Sequence, residues 1–220
     1  VNRKAWHATA AAVLQARERF AGKGPLVGFA GRLVYEKGVQ DLVDAVPQMK
    51  AQHPGLKVVI AGDGPYKDEL QSAVRRRGVT STVAFTGFLT ELELPALLGA
   101  TAATVVPSLY EPFGMVALEA ASAGAPLAVA STGGLAEIVE PGVTGMTFPH
   151  SDPPALADAV GTLLAEPVKA REMTKRATAM IAERYGWQGI ASRVAIAYAS
   201  ASLEPQAVPE IAIPDGNLLR

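Results

Sequence analysis

Tyr110-Glu111-Pro112-Phe113-Gly114-Met115-Val116-Ala117-Leu118-Glu119-Ala120 joins two kinds of order. The apolar run before it, 102–106, reads as a buried strand, and 115–123 reads as a helix. Between them, Pro112, Phe113 and Gly114 make a tight turn. A strand, a turn and a helix N-terminus aim backbone N–H groups at one point, and that point suits an anion. Two carboxylates bracket it, Glu111 before the helix and Glu119 in its second turn. Amides for a diphosphate beside acids for hydroxyls suit a sugar nucleotide. The plainer alternative has Glu111 complementing the helix dipole and Glu119 in solvent.

The same alternation recurs on both sides. Short apolar runs at 26–30, 58–61, 83–86, 103–106, 127–130 and 145–148 read as strands. Stretches at 39–52, 66–78, 92–100, 115–123 and 135–139 read as helices, followed by 154–165, 168–185 and 188–202. Strands separated by amphipathic helices imply βαβ units: an α/β, doubly wound parallel sheet of Rossmann-like type. Pro47 and Pro95 fall inside two of the helices, where each predicts a kink or a shortened helix. Residues 1–24 read as a linker and N-terminal helix (8–20), and 25–186 as the nucleotide-sugar-binding domain. Residues 187–203 read as a closing helix and the proline-rich 204–220 as an irregular tail.

Bulk properties narrow the class. At 220 residues and 49% hydrophobic content, the chain can bury a sizeable core. A net charge of −1 argues against nucleic acid as a partner. No run spans a bilayer, and the apolar face of helix 8–20 is mostly alanine, so membrane contact is not expected. Cysteine is absent, which excludes disulfides and fits a reducing, cytoplasmic setting; no secretory leader is expected. A start at Val1 suggests a piece of something longer.

In a doubly wound sheet, ligands bind at the carboxyl ends of the strands. Gly31-Arg32-Leu33-Val34-Tyr35-Glu36-Lys37-Gly38 puts two cations in the first such loop. Arg32 offers a fork to phosphate oxygens and Lys37 a point charge. Each is worth on the order of 4 kcal/mol at 4 Å from a phosphate, at an effective dielectric of 20. An ordinary solvated loop, with Glu36 pairing one cation, is the alternative. Gly62-Asp63-Gly64-Pro65 is a strand-to-helix turn without the dinucleotide or Walker pattern. Ser131-Thr132-Gly133-Gly134-Leu135 offers further amides. His7, His53 and His150 have no metal-ligand spacing, and no Asp-x-Asp occurs, so no metal or other cofactor is expected.

Together, Gly31-Arg32-Leu33…Glu36-Lys37-Gly38, Gly62-Asp63-Gly64-Pro65, Glu111-x7-Glu119 around Pro112-Phe113-Gly114, and Gly133-Gly134-Leu135-Ala136-Glu137 resemble the C-terminal half of a GT-B glycosyltransferase of family 4. The resemblance covers roughly 25–200 and includes Trp187…Ile190…Tyr198. Residues 33–39 and 110–114 look most like actinobacterial glycogen-synthase-like α-(1→4)-glucosyltransferases, which elongate glucans such as the methylglucose lipopolysaccharide precursor.

The resemblance implies a retaining, metal-independent transfer of a hexose from UDP-glucose or ADP-glucose to an α-glucan or glycolipid. It implies that Arg32 and Lys37 hold the diphosphate, Glu111 meets the donor-sugar hydroxyls and Glu119 the ribose. It also implies that the amides of Phe113, Gly114 and Met115 reach sugar and phosphate, and that the base rests near Phe88, Thr90 and Met115. Pro112, Gly31, Gly62, Asp63, Gly64, Gly133 and Gly134 complete the implied donor site. The family's N-terminal acceptor domain and its histidine have no counterpart here, so the chain alone is expected to be inactive. A sugar-nucleotide 2-epimerase of the same fold, a phosphorylase, and a non-catalytic nucleotide-sugar-binding module are the alternatives.

Overall fold

The computed structural model describes residues 3–203. Six strands form one sheet: β1 (Leu26–Ala30), β2 (Lys57–Ala61), β3 (Val83–Gly87), β4 (Ala103–Val106), β5 (Leu127–Ala130) and β6 (Met146–Phe148). Their order is β3-β2-β1-β4-β5-β6, and every neighbouring pair is parallel. This is the doubly wound, Rossmann-like α/β arrangement. Its strand order reverses between β1 and β4, the position at which such sheets open a crevice.

The central strands β1, β2, β4 and β5 are short because they are buried on both faces and cross only the core, while the edge strands β3 and β6 are partly exposed. Alternation assigns their side chains to two cores. Val27, Phe29, Val58, Ile60 and Val105 face one core, while Leu26, Val59, Val106, Leu127 and Val129 face the other. The first core is closed by α2 (Val39–Gln52), α3 (Lys67–Arg76) and α7 (Pro153–Ala165). The second is closed by α1 (Ala10–Phe20), α4 (Glu93–Ala100), α5 (Met115–Ser122) and α6 (Gly133–Ile138). One helix, α8 (Pro167–Arg184), contributes Met173 to the first core and Ile181 to the second. The last described helix, α9 (Trp187–Leu203), follows a break at Tyr185-Gly186 and is exposed from 191 to 200.

The shortening expected at Pro47 does not occur. α2 runs through Pro47 for all 14 residues and is not shortened. Its buried face of Leu42, Val43, Val46 and Met49 offsets the one lost hydrogen bond. Pro95 lies in the first turn of α4, where an N–H would have no partner within the helix. The paired glycines belong to α6 itself, which starts at Gly133 and not at 135. α1 starts at Ala10, capped by Thr9, whose hydroxyl accepts the Ala12 N–H at 3.2 Å. The expected tail, 204–220, lies outside the described residues, as do Val1 and Asn2.

Candidate functional site

The crevice between β1 and β4 is bridged by an ion pair. Lys37, in the loop after β1, donates from Nζ to Glu111 Oε2, in the loop after β4, at 2.6 Å. Their side chains are only 20% and 10% exposed, so solvent and salt screen the pair little. Glu111 accepts two more hydrogen bonds, from Ser108 Oγ to Oε2 at 3.2 Å and from the Gly114 N–H to Oε1 at 3.3 Å. The partner of Lys37 is therefore a carboxylate 74 positions away and not the adjacent Glu36.

Backbone contacts make the three loops of this side into one unit. The Glu36 carbonyl accepts the Leu109 N–H at 2.9 Å, and the Glu111 carbonyl accepts the Gly134 N–H at 2.9 Å. Gly38, at φ 67°, lies so close to the loop after β4 that a Cβ would stand 1.9 Å from the Pro107 carbonyl oxygen. Gly133, at φ 45°, would put a Cβ 2.2 Å from the Glu111 carbonyl oxygen. Only glycine satisfies both the left-handed backbone and that approach. Thr132 adds a hydrogen bond from its hydroxyl to the Leu109 carbonyl at 3.3 Å.

Arg32 sits on the other side of β1 and in a different environment. It is exposed and makes no ion pair or side-chain hydrogen bond among the described residues. With Gly31, Gly62, Phe88 and Leu89 it lines a cleft of about 230 Å³ over the carboxyl ends of β1, β2 and β3. Phe88 is 79% exposed at its rim. In the neighbouring turn the Asp63 carboxylate accepts the Gly64 N–H and the Lys67 ammonium, both at 2.7 Å. The Lys67 hydrogen bond holds the Asp63 carboxyl below its usual range. Asp63 thus ties the turn to the first residue of α3.

Glu119 is half-buried on α5 and has no hydrogen-bond or ion-pair partner among the described residues. Burial pushes its carboxyl above the ordinary glutamate range. A buried acid without a partner is costly, and hydroxyl donors from a ligand would relieve it. Gly114 precedes α5, whose Met115 and Val116 amides open the helix.

The other expected residues do not all gather at one point. Thr90 is committed to α4: its hydroxyl and N–H both donate to Glu93 Oε2, at 2.9 and 3.0 Å, and Glu93 N–H donates back. These bonds hold the Glu93 carboxyl below its usual range. Met115 and Phe113 line a separate apolar cleft of about 260 Å³ with Trp6, Leu118, Tyr185 and Trp187. There the Phe113 ring meets Tyr185 edge-on at 6.1 Å. Pro112 is exposed at the turn. Ser108 was not singled out from sequence; its signal is one short polar residue between an apolar strand and the acid, three positions before Glu111. Among the described residues, no three His, Asp or Glu side chains are grouped to hold a metal ion.

Comparison with known proteins identifies the family. The family model described as "Glycosyl transferases group 1" matches residues 12–180. The chain belongs to the group 1 glycosyl transferases. It is 40% identical over 211 residues to a glycogen synthase of Mycobacterium tuberculosis, covering 91% of this chain and 51% of that one. It therefore spans about half the length of the curated relative it matches. Among solved structures it superposes on HepE of Anabaena in complex with UDP-glucose with a TM-score of 0.83, at 26% identity, over 91% of this chain and 56% of that one. It superposes on sucrose-phosphate synthase of Thermosynechococcus elongatus with a TM-score of 0.82, at 30% identity, over 92% and 51%. Among the described residues, no helix is long and apolar enough to cross a membrane.

Proposed function

We propose that this chain is the donor-binding, C-terminal half of a retaining, metal-independent glucosyltransferase of family 4. It takes glucose from UDP-glucose or ADP-glucose for transfer to an α-glucan or related acceptor, as in methylglucose lipopolysaccharide synthesis. The observation that carries the reading is the Lys37–Glu111 pair across the β1/β4 crevice, with Arg32, which has no partner among the described residues, on the same loop as Lys37. Lys37 has two further N–H donors for a phosphate while one remains on Glu111. Arg32 brings a forked donor from the adjoining cleft. Charge growing on the departing diphosphate is met by both, so their stabilisation increases toward the transition state. Glu119, without a hydrogen-bond or ion-pair partner among the described residues, takes the ribose hydroxyls. The likeness to a glycogen synthase supports glucose and a glucan, and the likeness to HepE bound to UDP-glucose supports the donor class.

The acceptor site belongs to an N-terminal half, so the chain by itself binds donor and does not turn over. Thermal denaturation of the chain with UDP-glucose, ADP-glucose and GDP-mannose tests the reading. At about one hundred times Kd, the true donor stabilises by about 2.7 kcal/mol, a rise of about 5 °C or more for a domain of this size. Protection by a glucose nucleotide supports the proposal. Protection by GDP-mannose alone, or by none of the three, contradicts it.

A further inference from the structure

Three donors converge on Glu111, and they differ in kind. Lys37 carries the charge, and the Gly114 amide belongs to the turn that follows. The third is the hydroxyl of Ser108, which is 0% exposed and donates to Oε2, the oxygen that also accepts Lys37. An ionised carboxylate has about four acceptor positions, two on each oxygen. Ser108 and Lys37 fill both positions on Oε2. Among the described residues, Oε1 receives only the Gly114 amide at 3.3 Å and keeps a position open.

We infer that Ser108 is a positioning residue: its hydroxyl fixes the plane of the Glu111 carboxylate, so that one oxygen stays in reach of Lys37 and the other faces the donor sugar. The inference rests on the reading that Glu111 meets that sugar. The terminal torsion of a glutamate is broad, so the fewer donors hold it, the more freely the plane of the carboxylate swings. Lys37 alone is a poor lock because its ammonium rides on a flexible four-carbon stem. Ser108 is a good one, because its own backbone is held on both sides. Pro107 before it is pressed against Gly38, and the Leu109 N–H after it donates to the Glu36 carbonyl at 2.9 Å. Ser108 thus links the loop that carries Lys37 to the carboxylate that Lys37 binds.

Ser122 shows what an ordinary buried serine does in the same protein. It is 8% exposed, and its hydroxyl returns to the Leu118 carbonyl of its own helix at 2.7 Å. Removing that hydroxyl affects one helix turn. Removing the Ser108 hydroxyl leaves the Glu111 carboxylate held only by Lys37 and the Gly114 amide.

The test uses the full-length enzyme, with UDP-glucose and ADP-glucose assayed in parallel for transfer to glucan, and with UDP affinity measured separately. Ser108→Ala and the nearly isosteric Ser108→Cys, whose thiol is a weak donor, should each lower kcat about tenfold or more. UDP, which lacks the sugar, should bind both within about twofold of the unsubstituted enzyme. Ser108→Thr, which keeps the hydroxyl, should recover most of the lost rate. Ser122→Ala should leave turnover unchanged. In a Lys37→Ala background, Ser108→Ala should cost little more, because the lock no longer has a lysine to hold. Normal kcat in Ser108→Cys would overturn the inference, as would parallel loss of UDP binding and turnover, or full additivity with Lys37→Ala. Normal turnover in Lys37→Ala, or no transfer from either donor by the unsubstituted enzyme, would overturn the parent reading and this inference with it.

Discussion

The two sides of β1 are built on opposite principles. Toward β4 and β5, the loops are fastened to one another through backbone hydrogen bonds, and the charged side chains already have partners: Lys37 and Glu111 each other, with Ser108 and Gly114 completing the carboxylate. Toward β2 and β3, the cleft is open, Arg32 has no partner among the described residues, and Phe88 stands 79% exposed. A preassembled side costs nothing to organise when the reaction occurs, which is what stabilising a transition state requires. An open side with free donors is organised by the ligand that fills it, which is what binding requires. On the proposed reading, the first side is set in advance for the diphosphate, and the second, with Arg32, is completed by the nucleotide that fills it.

Substitutions on the two sides should therefore behave differently. The largest effect is expected for Lys37→Ala in the full-length enzyme. Turnover should fall about 10²–10³-fold, as for loss of one preorganised transition-state donor. Because Glu111 is then left buried without its cation, stability should fall by about 3 kcal/mol as well. Arg32→Ala should cost about 10²-fold in kcat/KM with donor, yet change stability by less than about 0.5 kcal/mol, since nothing in the fold leans on it. If Arg32→Ala unfolds the protein as readily as Lys37→Ala, the division between the sides is wrong. Gly133→Ala attacks the fastened side through its backbone. The added Cβ meets the Glu111 carbonyl, and chemical denaturation should report a loss of about 2 kcal/mol or more.

Glu119 gives the smallest effect, and its sign is informative. Burial raises its carboxyl pKa in the folded protein, so the folded state holds the proton more tightly than the unfolded chain. Its contribution is therefore fully present below the ordinary glutamate range, about 4.3, and is lost as pH rises through the raised value. Glu119→Gln should melt slightly higher than the unsubstituted chain at neutral pH, and the gain should vanish toward pH 4. The same variant should bind UDP-glucose more weakly. An unchanged melting profile across that window would place Glu119 in solvent.

Much of the fold was legible because β and α periods alternate cleanly and each strand is a short run of Val, Ile, Leu and Ala. The expected shortening at Pro47 fails because propensity is local while the buried face of α2 is a tertiary fact. In the site, Glu111 and Lys37 were legible as candidates but not as a pair. The adjacent Glu36 is the partner that sequence distance suggests, and only the strand order brings position 111 to position 37. Thr90 carried a legible capping signal, Thr-x-x-Glu, which its hydrogen bonds to Glu93 obey. Several glycines looked like ligand-facing turns, whereas Gly38 and Gly133 are required by loop-to-loop contact.

A structure of the chain bound to UDP-glucose tests the central claim most directly. The account predicts the diphosphate at the β1/β4 crevice, within hydrogen-bond reach of both Lys37 Nζ and the Arg32 guanidinium, and a sugar hydroxyl on Glu111 Oε1. A diphosphate reached by neither cation, or held through a divalent ion in their place, would contradict it.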